Sequence, residues 1–198
     1  WLMFKTFINA FKIKDIRKKI LMTLLLIVIY RLGCFIPIPG VNVALLSEAV
    51  QSYDILGFLD LLTGSSFSQF TLFAMGISPY ITASIILQLL TIAIPSLERL
   101  SKEEDGREKI ERITRYTGIG LALVQSIGIF VGLQNSAKPG TSYLASTLPD
   151  WMALAVIGIC ATAGTAILMW LGERITEKGI GNGISMLIFA SIVSRVPQ

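Results

Sequence analysis

Residues with reactive side chains are few in this sequence, and their positions do not indicate a catalytic site. The chain contains no histidine, and its two cysteines, Cys34 and Cys160, both lie in apolar runs. Cysteines so placed indicate neither a disulfide framework nor a metal site. Acids are not paired within the apolar runs, so general acid–base chemistry is not expected either. We therefore expect no enzyme activity, no cofactor and no bound metal.

The glycine-rich residues 179–183, with the sequence GIGNG, have a spacing similar to that of a dinucleotide-binding loop. Such a loop needs a preceding β-strand and an acid about 20 residues later, and the sequence predicts neither here. The glycines are better explained as a tight turn between two helices.

Two pairs of isoleucines at i, i+4 spacing could control the passage of water and ions. Ile81 and Ile85 share one helix face, and Ile188 and Ile192 share another. If these four stiff β-branched side chains converged on one axis, they would form a narrow apolar constriction that sheds water. The same spacing is also typical of ordinary helix packing, which the periodicity by itself favours.

The composition places these residues in an integral membrane protein. Hydrophobic residues make up 53% of the 198 residues, charged residues make up 15%, and the mean hydropathy is +0.69. The charges are bunched, as a bilayer requires, and no Lys or Arg occurs between Arg31 and Arg99. Membrane topology accounts for the sequence pI of about 9.2, so a specific nucleic-acid partner is not expected.

Five apolar runs predict five transmembrane helices, and the charges between the runs predict their orientation. The predicted spans are residues 20–36, 71–94, 116–133, 151–171 and 183–196. Most of the 17 basic residues precede the first run or lie in the connections 98–115 and 172–182. By the positive-inside rule, these connections and the N-terminus are cytoplasmic.

Charges also mark both ends of the first predicted span. In the arm formed by residues 1–19, the apolar residues that share one helical face are Phe4, Phe7, Ile8 and Phe11. This pattern is typical of an amphipathic helix on the inner membrane surface.

Arg31 lies within the span, close to its outer end, where a charge indicates function by default. Snorkelling to the interface or a structural pairing explains Arg31 better.

Residues 56–70 break the rules for a membrane helix. The segment is about half apolar, is interrupted by Gly57, Gly64 and several serines, and is too short to span a bilayer. Backbone that leaves the helical form at membrane depth is tolerated only where protein buries it or it lines a cavity. We expect a half-helix folded into a pore, with a helix on the outer membrane surface as the alternative. Its glycines and serines indicate a mobile segment, since they weaken a helix and offer little apolar area.

Two long motifs resemble the SecY family of bacterial protein-translocation channels. Residues 73–90, FAMGISPYITASIILQLL, are similar to the second transmembrane segment of that family. Residues 169–185, MWLGERITEKGIGNGIS, are similar to its junction between the fourth and fifth spans. Residues 31–39 are similar to the end of its first span and residues 114–116 to the start of its third. The resemblance therefore extends over the whole chain.

The resemblance implies an all-α channel of ten spans in two pseudosymmetric halves, with this chain similar to the first half. It implies that residues 56–70 form a plug that closes the pore from outside, to which we assign Phe58, Leu59, Leu62, Gly64 and Phe67. It implies a pore ring formed by Ile81, Ile85, Ile188 and Ile192. It also implies that the second span forms one side of a lateral gate, to which we assign Ser84 and Gln88.

The resemblance further implies partners and a location in the bacterial plasma membrane. The implied partners are the second half of the channel, the small subunits SecE and SecG, the SecA ATPase or the ribosome, membrane lipid, and an unfolded secretory polypeptide with its signal sequence. The charge-balanced connection 98–115 is typical of a solvated loop, and its size also suits docking of a cytosolic partner. The basic residues that we assign to such docking are Arg99, Lys102, Arg107 and Lys109.

Two other classes of protein remain open. Half of a secondary transporter would also contain a broken helix, but it should carry a polar or ionisable residue near its midplane site for coupling. The second span offers only Gln88 for that role. A membrane scaffold or assembly factor would need no pore at all.

Overall fold

The computed structural model describes residues 13–136, 142–144 and 149–194, and regular secondary structure within these ranges is helical. The helices in chain order are α1 (Lys14–Gly33), α2 (Val43–Ser52), α3 (Asp54–Thr63), α4 (Ser78–Ala93), α5 (Pro95–Lys102), α6 (Gly106–Ser136), α7 (Asp150–Lys178) and α8 (Gly183–Val193). Most of the predicted amphipathic arm, including its apolar face, lies outside the described residues. The predicted fifth span also extends beyond them.

Two of these helices, α6 and α7, are long and apolar enough to cross a membrane by length and composition. The pair α4 and α5 would provide a third crossing if it were one broken span, with a bend of 103° at the break. Helix α8 is apolar but has only 11 residues, which corresponds to a length of about 16 Å. The count of five spans therefore stays a prediction.

Helix α1 is shifted from the apolar run that predicted it. It begins at Lys14, because charged residues can continue a helix beyond its apolar part, and it ends at Gly33. A Cβ at Gly33 would overlap the ring of Phe73, so α1 and the chain that precedes α4 approach closely here. Pro37, four residues further on, lacks the N–H that helix continuation would need.

Residues 71–77 are apolar and largely buried, but they do not belong to α4 as the hydropathy predicted. Their backbone pairs with the chain that follows α1, where Leu72 N donates to Ile36 O at 2.9 Å. Next to this pair, Ile38 N donates to Phe70 O at 3.0 Å. Hydropathy indicates which residues are buried but not whether their backbone is helical. It therefore could not distinguish this irregular segment from the helix.

The connections predicted at 98–115 and 172–182 are mostly helical. Helix α5 and the first turns of α6 cover most of the first connection, and α7 continues to Lys178 in the second. The charged residues therefore extend helices beyond their apolar parts instead of forming loops.

The predicted glycine-rich turn links α7 to α8. Gly181 has a φ of +68°, a left-handed conformation that glycine adopts readily. Asn182 Oδ1 accepts a hydrogen bond from Ile184 N at 3.0 Å and so caps α8. Thr23 Oγ1 of α1 accepts another from Ile180 N at 3.2 Å, which holds the turn against α1.

Two apolar clusters hold the helices together. The first joins the chain before α2, α2 itself and the chain after α3 to α6 and α7, and its largest buried residues include Leu46, Phe67, Phe70, Phe130 and Ile157. The second joins α1, α7, α8 and the chain before α4, and its buried residues include Tyr30, Phe73, Leu168, Leu171 and Leu187. Because α6 packs against both α4 and α7, these three helices form the frame that positions the shorter segments.

The close approach of α7 to the irregular residues 71–77 yields a test of this packing. A Cβ at Gly164 would overlap the carbonyl group of Leu72, so we expect Gly164→Ala to lower the free energy of unfolding by about 1–3 kcal/mol through overpacking. A Cβ at Gly120 of α6 would meet no atom within 4 Å, which makes Gly120→Ala the matched control. The measurement is the thermal midpoint of the detergent-solubilised protein. Equal midpoints for the two variants would contradict the close approach.

Candidate functional site

A cavity of about 470 Å³ lies among α1, α3, α4, α6, α7 and α8. The side chains that line it from these helices are Tyr30, Leu59, Leu62, Thr63, Ser78, Ile81, Thr82, Gln125, Ile129, Leu168, Ile188 and Ser191. The chain between α3 and α4 adds Phe67 and residues 74–77. Asp, Glu, Lys and Arg are absent from this described lining, so the cavity is apolar with a few neutral polar groups.

The cavity brings together two of the four isoleucines that were predicted to form a ring. Ile81 of α4 and Ile188 of α8 both line it. Ile85 and Ile192 lie one turn further along the same two helices and are 52% and 38% exposed. The described lining of the cavity does not include these two.

The isoleucine faces of α4 and α8 differ from the faces that pack in the core. Ala83 of α4 and Leu187 of α8 are 0% and 1% exposed, whereas Ile81 is 36% exposed. Ile188 is half-buried and packs against the second apolar cluster, whereas Ile81, Ile85 and Ile192 are more exposed. Convergence of all four on one axis stays a prediction.

The predicted plug segment divides into a partly exposed helix and a buried turn. Leu59 and Leu62 of α3 line the cavity, and Phe58 is 61% exposed. Beyond the helix, Phe67 is buried and its ring meets that of Phe70 edge-to-face at 6.3 Å. The expectation that this segment offers little apolar area is therefore wrong for its second part, where both phenylalanines join the core.

Gly64 ends α3 in the left-handed conformation, with a φ of +64°. Gly64 N donates to Leu61 O at 3.3 Å, and Ser65 N donates to Asp60 O at 3.0 Å, which is the pattern of a Schellman motif. Ser65 also has a positive φ, +69°, a conformation that is unfavourable for a residue with a side chain. These two consecutive residues reverse the chain and return it to the core.

Asp60 is a buried residue of the site that the sequence analysis did not identify. It is 2% exposed, and its Oδ1 accepts a hydrogen bond from Ser68 N at 2.7 Å. Thr63 Oγ1 accepts another from Phe67 N at 3.3 Å. These side chains satisfy backbone donors for which the turn provides no helical partner. An acid within an apolar stretch was the sequence signal that could have indicated this role.

Arg31 is paired within the structure, which was one of the two explanations for its position. Its Nη2 donates to Ala190 O at 2.7 Å and to Ser191 O at 3.3 Å, both in the last turn of α8. Its neighbour Tyr30 places Oη 2.6 Å from Ser191 Oγ, and either hydroxyl can donate. The C-terminal end of α1 is therefore bound to the end of α8.

The residues assigned to a lateral gate lie on one face of α4. Gln88 is exposed and Ser84 is half-buried, and Gln88 Nε2 lies 3.5 Å from Ser84 Oγ. The described cavity lining includes neither residue. Their role in a gate stays a prediction.

The basic residues assigned to a cytosolic partner are exposed on α5 and on the first turn of α6: Arg99, Lys102, Arg107 and Lys109. Lys102 Nζ hydrogen-bonds to the Glu98 carboxylate at 2.6 Å and holds the pKa of Glu98 below its ordinary value. Lys109 pairs with Glu103 at 3.2 Å. Exposed pairs of this kind contribute little to stability, so they would not prevent these side chains from contacting a partner.

Comparison with curated proteins identifies relatives along nearly the whole chain. The SecY family model matches residues 71–198. Protein translocase subunit SecY of Streptomyces coelicolor is 46% identical over 204 residues, and the match covers 99% of this chain and 47% of that protein. The SecY subunit of Bacillus subtilis is 46% identical over 201 residues, covering 99% of this chain and 45% of that protein. The chain thus spans about half the length of the curated relatives it matches.

Solved structures share the fold. Sec61 in the canine ribosome-channel complex from the endoplasmic reticulum matches with a TM-score of 0.62 at 22% identity, over 89% of this chain and 36% of that chain. A SecY structure described through its plug domain matches with a TM-score of 0.58 at 21% identity, over 88% of this chain and 35% of that chain. At these identities the structures establish the fold, and the family match establishes membership. The chain belongs to the SecY family.

Proposed function

We propose that this chain forms the N-terminal half of a protein-conducting channel in the bacterial plasma membrane. Unfolded secretory polypeptides would cross through it, and membrane helices would leave it laterally. Family membership supports this, since the relatives are named protein translocase subunits. The observation that carries the proposal is the cavity that Ile81 and Ile188 share with Leu59 and Leu62 of α3.

The proposed mechanism is physical and needs no chemical step. A ring formed by Ile81, Ile85, Ile188 and Ile192 is narrow and apolar, so it sheds water when empty and deforms around a polypeptide when occupied. Helix α3 would be the plug, because Leu59 and Leu62 of this helix line the same cavity. Displacement of α3 would open a path past the ring.

The other parts of the channel lie outside this chain in the proposal. The second half would complete the ring and supply the facing wall of the lateral gate, opposite Ser84 and Gln88. SecE and SecG would bind the assembled channel, and SecA or the ribosome would dock on the cytosolic side near α5. The N-terminus would be cytoplasmic, as the distribution of basic residues predicts.

A secondary-transporter half is less well supported. Coupling to an ion gradient calls for an ionisable or strongly polar residue at the binding site. The described lining of the cavity contains Gln125 and several hydroxyl groups but no acid and no base. An apolar constriction suits the cavity better than an ion-coupled site.

The ring assignment can be tested with neighbouring residues of α8. Ile188 lines the cavity, whereas Leu187 is 1% exposed in the core. In a complete channel we expect Ile188→Lys to fold, to leak ions and to relax the requirement for a strong signal sequence, because its charge hydrates the ring. We expect Leu187→Lys to lower the yield of folded protein, since burying an unpaired charge costs about 3–5 kcal/mol. Conductance in reconstituted vesicles and folded yield are the two measurements, and loss of folded Ile188→Lys channel would support the packing interpretation instead.

Crosslinking to a translocating polypeptide tests the ring assignment independently. Single cysteines at Ile81, Ile85, Ile188 and Ile192, in a channel without its native cysteines, should react with a polypeptide stalled during translocation. A cysteine at Ile86, which is 39% exposed on another side of α4, is the control and should react weakly. Failure of all four ring positions to crosslink would reject the assignment.

A further inference from the structure

We propose that Arg31 positions the plug. Its guanidinium binds the end of α8 and forms the surface against which Gly64 lies in the closed channel, which we call the seat of Gly64. This inference rests on the proposed channel function, in which α3 is the plug. In this inference, Arg31 of α1 acts on the plug through its contact with Gly64.

The first observation is the position of the guanidinium at the C-terminal end of α8. Arg31 Nη2 donates to the carbonyl oxygens of Ala190 and Ser191, at 2.7 and 3.3 Å. The C-terminal carbonyls of a helix carry a partial negative charge, which favours a cation there. Ala190 O also accepts from Ser194 N at 3.3 Å, and Ser191 O accepts from Ser194 Oγ at 2.7 Å, so the guanidinium adds to partners that the end of α8 already has.

The second observation is the close approach of Gly64 to this pair. A Cβ at Gly64 would lie 3.0 Å from Arg31 Nη1, 3.2 Å from Nη2 and 3.1 Å from Ser191 O. The backbone at the end of α3 therefore lies next to both the guanidinium and the end of α8. The positive φ of Gly64 favours glycine at this point, and a side chain there would press on the guanidinium and on Ser191 O.

Two other contacts join α1 to α8 and to the turn before it. They allow a positioning role of Arg31 to be distinguished from a structural one. Tyr30 Oη lies 2.6 Å from Ser191 Oγ at the outer end. Thr23 Oγ1 accepts a hydrogen bond from Ile180 N at the other end. Loss of the Arg31 side chain would leave both contacts in place, so it should weaken the seat of Gly64 more than the helix pair.

Open space lies beside the contact between Gly64 and Arg31. A cavity of about 250 Å³ adjoins the contact and is lined by Arg31, Cys34, Phe35, Gly64, Ser65, Gln69 and Ser194. In addition, the fully buried residues of α3 are the polar Asp60 and Thr63, and among its apolar side chains Leu56 packs against the first apolar cluster.

The test uses the complete channel in vesicles and measures ion leak, folded yield and thermal midpoint. Arg31→Gln removes the guanidinium against which Gly64 lies, so it should destabilise the closed position of the plug and increase the leak about tenfold, which corresponds to about 1.4 kcal/mol. Arg31→Lys keeps the charge without the planar fork and should leak to an intermediate degree. Gly64→Ala disturbs the same contact from the plug side and should leak as well. Lys19→Gln, which removes an exposed cation from the same helix, is the control and should leave the leak unchanged.

Removal of residues 54–63 in the same assay separates this inference from the channel proposal. Increased leak after that removal, together with unchanged leak in Arg31→Gln and Gly64→Ala, would overturn the seat and leave the plug assignment in place. Unchanged leak in all three variants would overturn the plug assignment as well. If Arg31→Gln fails to fold, Gly64→Ala decides, and an unchanged leak in that variant rejects the inference. A lower thermal midpoint of Arg31→Gln without any leak would assign Arg31 a purely structural role.

Discussion

Backbone N–H and C=O groups that leave a helix in apolar surroundings must find other partners, and residues 64–77 are where this chain meets that constraint. The side chains of Asp60 and Thr63 accept hydrogen bonds from the turn after α3, and Ile36 O accepts one from the next segment. Because these partners come from α3 and from the chain after α1, the irregular segment depends on both. Its path in turn determines that α4 begins at Ser78 and where the isoleucine face of α4 lies.

The same constraint divides residues 56–70 into a partly exposed helix and a turn that packs in the core. Phe67 and Phe70 are both 1% exposed in the core, and Phe70 also packs edge-to-face on Phe130 at 5.8 Å. Helix α3 has a polar buried side and directs Leu59 and Leu62 at the cavity. In the proposed mechanism, displacement of α3 breaks the hydrogen bonds from Ser68 N to Asp60 Oδ1 and from Phe67 N to Thr63 Oγ1, whereas the phenylalanines of the turn remain packed.

The sequence predicted those features that residue type and local spacing determine. The glycine-rich turn before α8 is an example. It did not predict the irregular segment before Ser78, because hydropathy does not distinguish a buried turn from a helix. The partners of Arg31 were also missed, since that contact joins residues about 160 positions apart, and no local pattern encodes it.

In the proposed channel, α3 closes a path between Ile81 and Ile188. An experimental structure of the complete channel with a polypeptide arrested during translocation would show whether this path is used. We expect the polypeptide to pass between these two side chains, with Leu59 and Leu62 withdrawn from the cavity. A polypeptide that passes elsewhere, or an α3 that still lies against an occupied cavity, would contradict it.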